Sequence, residues 1–80
     1  MLEILQHEKK IIGIKQTTKA LKQGKAKVLY IANDADQHLL KPLVEMANTN
    51  GVEVVHVESM KKLGKACKID VGAATAVVLK

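Results

Sequence analysis

Lys27-Val28-Leu29-Tyr30-Ile31-Ala32, followed at once by Asn33-Asp34-Ala35-Asp36, decides the architecture of this 80-residue chain. From Val28 to Ala32 the residues are apolar without alternation and rich in β-formers, the pattern of a strand covered on both faces. Asn33 to Asp36 then reads as a turn, with Asp34 and Asp36 in turn and capping duty. A strand buried on both faces needs helices on both sides of its sheet. The flanking sequence supplies them.

Upstream, Gly24 stops a helical stretch from Lys15 to Gln23. Ala20 and Leu21 turn inward there, and Lys15, Lys19 and Lys22 stack on one exposed face at i, i+4, i+7. Before it, Ile11-Ile12-Gly13-Ile14 reads as a short strand ending near Gly13, and Leu2, Ile4 and Leu5 among Glu3, Gln6 and Glu8 predict a short amphipathic helix. Downstream, Pro42 is expected to break the helical pattern, leaving one short turn over residues 37 to 40 and a main helix from near Pro42 to just before Asn50-Gly51. Val52, Val54, Val55 and Val57 predict a third strand. Ser59 then caps a helix carrying Lys61, Lys65 and Lys68, again at i, i+4, i+7. Asp70 to Ala74 is a connection of small residues, and Thr75 to Leu79 is the last strand. This alternation predicts an α/β fold, a three-layer α/β/α sandwich around a four-stranded mixed sheet. Strand ends meet helix starts at Gly13 to Lys15, Asn33 to Asp36 and Val57 to Met60, where sheets of this kind hold ligands.

Composition narrows the function. At 48% hydrophobic and 26% charged residues, residues 1–80 are expected to form a single ordered domain. Tyr30 is the only aromatic residue, which excludes the ring-stacking surfaces of RRM and OB-fold proteins. Cys67 stands alone and reads as a buried structural thiol in a reducing cytosol, while His7, His38 and His56 lack metal-ligand spacing. The apolar runs are far shorter than the roughly 20 residues of a membrane helix, and acids stand where a signal peptide carries bases. A cytoplasmic protein away from the membrane is expected. No phosphate-loop, dinucleotide-binding, zinc-protease or nucleophile-elbow motif is present, so no enzyme, cofactor or metal is expected.

The net charge is +5, and all 13 basic residues are lysine. It is unevenly spread: −2 over residues 1 to 8, +7 over 9 to 27, −4 over 28 to 58 and +4 over 59 to 80. Two lysine-rich blocks brought together would make one positive face, the electrostatic footprint of a nucleic-acid binder. Lysines that merely keep the surface soluble would give the same count.

Two further stretches carry a resemblance. Gly13-Ile14-Lys15-Gln16-Thr17-Thr18-Lys19, followed by Gly24, looks like the G-x-N-E-x-x-K signature of the kink-turn-binding ribosomal protein family known in archaea as L7Ae, which includes L30e and box C/D particle proteins. Val57-Glu58-Ser59-Met60-Lys61-Lys62-Leu63-Gly64-Lys65-Ala66-Cys67, followed by Ala73-Ala74, is similar to that family's loop, its L-G-x-A helix and its small-residue stretch before the last strand. With Ile31 to Asp36 the match spans nearly the whole chain. Lys15-Gln16 in place of asparagine-glutamate, the short length and the stretch from Glu58 to Ala66 most resemble the bacterial YbxF-type members.

The resemblance implies recognition of a kink-turn, in which a bulge and tandem sheared G·A pairs bend two RNA helices sharply. The implied site comprises Gly13, Ile14, Lys15, Gln16, Lys19, Lys22, Asp36, Leu40, Glu58, Ser59, Met60 and Lys61. A sheared pair leaves guanine O6, N7 and N1–H uncommitted, so the Lys15 ammonium would donate to O6 or N7 and the Gln16 carbonyl would accept from N1–H. Lys19 would reach a guanine edge or a phosphate, and Gly13 would let the backbone approach closely. Glu58-Ser59-Met60 would cover an extruded nucleotide, with Met60 replacing an aromatic stack. Asp36 and Leu40 match positions near a flipped base. The implied partner is structured RNA such as ribosomal RNA or a riboswitch, with the ribosome a candidate and a monomer the expected state. The rival reading is a ribosome-associated protein-interaction scaffold with only non-specific RNA affinity.

Overall fold

Val28, Leu29, Tyr30, Ile31 and Ala32 are buried without a break in the computed structural model of the chain, which describes residues 9–80. They belong to β2 (Ala26–Ala32), and the described elements run β1 (Lys10–Ile12), α1 (Ile14–Lys22), β2, α2 (Gln37–Thr49), β3 (Glu53–Val57), α3 (Met60–Ala66) and β4 (Thr75–Leu79). The sheet order is β1-β4-β2-β3. β2 and β3 are parallel, whereas β4 runs antiparallel to both β1 and β2. β1, β2 and β3 therefore point the same way. The expected four-stranded mixed sheet is the one observed. α1 and α2 pack on each other and on the sheet, while α3 packs on β2, β3 and β4. Unbroken burial of β2 demands cover on both faces, which puts α3 on the opposite one. The helix expected over residues 2–8 lies outside the described residues.

All three helices end the same way. After α1, Gly24 (φ +68°) is left-handed, its N–H donates to the Leu21 carbonyl at 3.2 Å, and Lys25 N–H reaches the Ala20 carbonyl at 3.1 Å. After α2, Gly51 (φ +68°) and Val52 repeat this pair of bonds onto Asn48 and Ala47. After α3 the left-handed residue is Lys68 (φ +62°), whose N–H donates to Lys65 while Ile69 N–H donates to Gly64. These are Schellman closures, which use up carbonyls that the helix cannot bond itself.

Three sequence expectations need correction. Pro42 does not break α2, which continues through it from Gln37 to Thr49. The bond lost is the one Pro42 would have given the carbonyl four residues back, at His38. Both residues are exposed, so water can serve that carbonyl, while Leu40, Leu43 and Ala47 bury one face on either side of the proline. The start is also fastened: Asp36 accepts His38 N–H at 3.0 Å, and Gln37 Nε2 donates to the carbonyls of Ala35 at 2.9 Å and Ala32 at 3.1 Å. Second, α3 stops at Ala66, so the left-handed turn at Lys68 removes that lysine from the face shared by Lys61 and Lys65. Third, the strand expected to end near Gly13 stops at Ile12, and the helix expected from Lys15 begins at Ile14.

Candidate nucleic-acid interface

Because β1, β2 and β3 are parallel, α1, α2 and α3 all begin at one end of the sheet, beside the start of β4. Gly13, Asp36 and Ser59 are the three N-caps, and none of the helices has an acid in its first turn. Helix starts carry partial positive charge, which favours anions close to them, although the exposed carboxylates of Asp34, Asp36 and Glu58 stand at the same end. Gly13 sits at φ +105°, ψ +153°, a conformation that glycine alone adopts without strain, and a Cβ there would meet open space. It offers no side-chain cap to α1.

The segment before β4 ties the two sequence motifs together. Gly13 N–H donates to the Thr75 carbonyl at 3.1 Å, and Ala73 N–H donates to the Met60 carbonyl at 3.0 Å. Thr75 is itself held by its hydroxyl, which donates to the Tyr30 carbonyl at 2.7 Å. On the other side, Asp34 accepts Met60 N–H at 2.7 Å, and Ala32 N–H bonds the Ala74 carbonyl at 3.0 Å. One close approach needs glycine and a second is tight. A Cβ on Gly64 would overlap the Val71 carbonyl, and one on Gly72 would stand 3.1 Å from Met60 Cβ.

On this frame Lys15, Gln16, Lys19 and Lys22 are exposed along α1, with Ile14 half-buried at its start. Lys15, Lys19 and Lys22 wall a groove with Ile14 and Thr18. Ser59 is committed to capping, its Oγ accepting Lys62 N–H at 3.1 Å, and Glu58 pairs with Lys62 at 3.1 Å in solvent. Met60 and Lys61 are exposed, as is Asp36, the cap of α2. Leu40 does not belong to the surface. It is completely buried in the core, and its neighbour Leu39 is 55% exposed. The sequence reading passed over Val71, which is 70% exposed and precedes the glycine on which Met60 rests. A branched apolar residue between Asp70 and Gly72, where small residues prevail, was its signal.

Tyr30, the one Phe, Tyr or Trp ring of the chain, is buried and does not stack on a base. Its hydroxyl pKa is raised by burial and then by the negative charge of Glu53 and, once the thiol ionises in alkali, of Cys67. Burial also pushes the Cys67 thiol up, against an opposing pull from Lys10. Cys67 is thus a core residue that holds its proton. Among the described residues no group of three or more histidine, cysteine or acidic side chains could hold a metal ion, and no helix is long and apolar enough to cross a membrane.

Fold and site together define a small α/β/α domain whose loop-built end presents lysines, helix starts and an apolar spot. The chain belongs to the ribosomal protein L7Ae/L30e/S12e/Gadd45 family, whose model matches residues 2–80. It is 49% identical over 78 residues to the RNA-binding protein YbxF of Geobacillus stearothermophilus, covering 98% of this chain and 95% of that one. The large ribosomal subunit protein eL8 of Halobacterium salinarum is 38% identical over 68 residues, covering 84% of this chain and 57% of that protein. A solved 15.5 kD RNA-binding protein of Giardia lamblia superimposes with a TM-score of 0.90 at 28% identity, over 99% of this chain and 70% of that one.

Proposed function

We propose that this chain is a cytoplasmic, monomeric RNA-binding protein that recognises kink-turns in structured RNA, such as ribosomal RNA or a riboswitch. It acts without chemistry, by binding the bent conformer more tightly than the extended one. The observation that carries this reading is the linkage of the α1 start to the Met60 loop through residues 73 to 75. Backbone hydrogen bonds thereby join the start of α1, with Lys15 and Gln16, to the loop that carries Met60, which supports a site built from both. Lys15 and Gln16 address the guanine edges of the sheared pairs, while Lys19, Lys22 and Lys61 meet phosphates. Met60 and Val71 cover an extruded nucleotide. Asp36 and Ser59 shape the site as caps, and Leu40 supports it from the core. The names of the YbxF, eL8 and 15.5 kD relatives support RNA and the ribosome as partners.

The test is binding to a kink-turn hairpin beside a copy whose sheared G·A pairs are replaced by Watson–Crick pairs, at two salt concentrations. A preference for the intact motif that persists at higher salt is expected. Equal, strongly salt-sensitive binding to both would reduce the chain to a non-specific polycation and favour the scaffold reading.

A further inference from the structure

At the end of the sheet away from the helix starts, Lys9, Lys80 and Lys25 stand at the ends of three adjacent strands. Leu79 N–H donates to the Lys9 carbonyl and Lys80 N–H to the Lys25 carbonyl, each at 2.9 Å. With strands roughly 4.8 Å apart, the backbones at Lys9 and Lys25 lie about 10 Å from each other. All three side chains are exposed, as is that of Lys27 at the start of β2. Helix C-termini attract lysines, which accounts for Lys19, Lys22 and Lys65 in last turns. It does not account for Lys9, Lys27 and Lys80, which stand on or beside strands. Glu53, the only acid in the four strands, opens β3 opposite Val28 and so lies beside Lys27, while Lys9 and Lys80 stand on the other side of β2. Among the described residues the one ion pair is Lys62 with Glu58, so these lysines are unpaired there.

We propose that Lys9, Lys25, Lys27 and Lys80 form a second RNA-backbone surface, so that the domain holds two RNA segments at once. β2 spans about 20 Å at roughly 3.3 Å per residue, which separates this end from Lys15 and Gln16, while Lys22, in the last turn of α1 three residues before Lys25, lies between the two surfaces. A groove between α1 and the β1–β4 edge, walled by Gln16, Lys19, Gln23 and Lys25, leads from one surface to the other. RNA fits this end better than an acidic protein does. A protein interface needs apolar anchors at its centre, and among the described residues the exposed large hydrophobics Leu39, Met60 and Val71 all lie at the opposite end. The proposal rests on RNA binding but not on kink-turn selectivity.

The experiment titrates a labelled plain RNA duplex into the protein already saturated with a kink-turn hairpin, at two salt concentrations. A ternary complex is expected. Replacing Lys9, Lys25, Lys27 and Lys80 together by Gln should weaken duplex uptake about tenfold or more and flatten its salt dependence, each phosphate contact carrying roughly 0.7 to 0.9 of a log–log unit. Hairpin affinity should hardly change, and arginine at all four positions should restore duplex uptake. Exclusion of the duplex by bound hairpin, or undiminished uptake by the Gln variant, would overturn the proposal. So would tighter binding of poly-glutamate than of duplex. If the hairpin proves no better a ligand than its Watson–Crick copy while duplex uptake still needs the four lysines, kink-turn selectivity fails and the second surface stands.

Discussion

The Asp34 carboxylate accepts the Met60 backbone N–H at 2.7 Å, fastening the loop after β2 to the first residue of α3. α3 has only seven residues, and Ser59 satisfies a second of its free amides at Lys62. Short helices depend on such partners, because their first amides have no carbonyl within the helix. Asp34→Ala should therefore cost about 1–2 kcal/mol in urea unfolding. Asp34→Asn keeps an acceptor and should cost less. Amide exchange at Met60 should quicken in the alanine variant well before global unfolding, and unchanged exchange would show that the contact holds nothing in place.

Lys68 occupies the left-handed position that glycine fills after the other two helices. A side chain there crowds its own backbone, at roughly 1 kcal/mol. Lys68→Gly should raise stability by about 0.5–1 kcal/mol, while Lys68→Ala, which keeps the strain, should not. Equal unfolding midpoints for the two variants would mean that the turn is not strained.

The same residue marks what could be read from the sequence. Gly24 and Gly51 announced two helix ends because glycine is the usual occupant of a left-handed turn, whereas Lys68 hid the third and lengthened the expected lysine stripe. The sheet was legible because Val28 to Ala32 are apolar on both faces. α2 was misread because local propensity at Pro42 is outweighed by burial of Leu40, Leu43 and Ala47, which no short window reveals. At the site, α1 showed itself through its spacing. The hydrogen bonds joining it to Met60 run between backbone atoms of residues far apart in sequence, and such bonds leave no mark on side-chain pattern.

Thr17 and Thr75 are both fully buried, and only one hydroxyl is satisfied. Thr75 donates to Tyr30, whereas Thr17 Oγ1 has no hydrogen-bond partner among the described residues. Burying an unpaired hydroxyl costs energy that an isosteric methyl does not. Thr17→Val should leave stability unchanged or raise it by up to about 1 kcal/mol, and Thr75→Val should lower it by about 1–2 kcal/mol. Denaturant midpoints at constant slope decide the matter. A destabilised Thr17→Val would reveal a bonded hydroxyl.

Cys67 and Tyr30 make stability fall in alkali. Burial raises both pKa values, so the folded chain keeps protons that the unfolded chain gives up above ordinary values of about 8.5–9 for the thiol and 10 for the phenol. Stability is therefore complete below the unfolded thiol value and declines as pH climbs, by up to about 1.4 kcal/mol per pH unit for each group. Cys67→Ala should delay the onset of the decline. Unfolding midpoints from neutral to strongly alkaline pH read this directly, and an identical profile for the variant would assign the decline elsewhere.

Within the proposed interface, Lys22 and Gln16 test different physics. Lys22 lies in the last turn of α1, two turns from the helix start, where it can neutralise a phosphate but not read a base. Its replacement by Gln should weaken binding to the hairpin and to its Watson–Crick copy alike and reduce the salt slope by somewhat less than one. Lys65, on the exposed face of α3, should behave the same way. Gln16 carries no charge, so its loss cannot change the slope through counterion release. Gln16→Ala should instead erode the preference for sheared pairs by removing the one acceptor set for guanine N1–H, at about 1–3 kcal/mol for a base contact. Lys15→Ala should do both, losing a charge and a base-edge donor. If all four substitutions lowered both affinities in parallel, α1 would be a charged surface without a reading function.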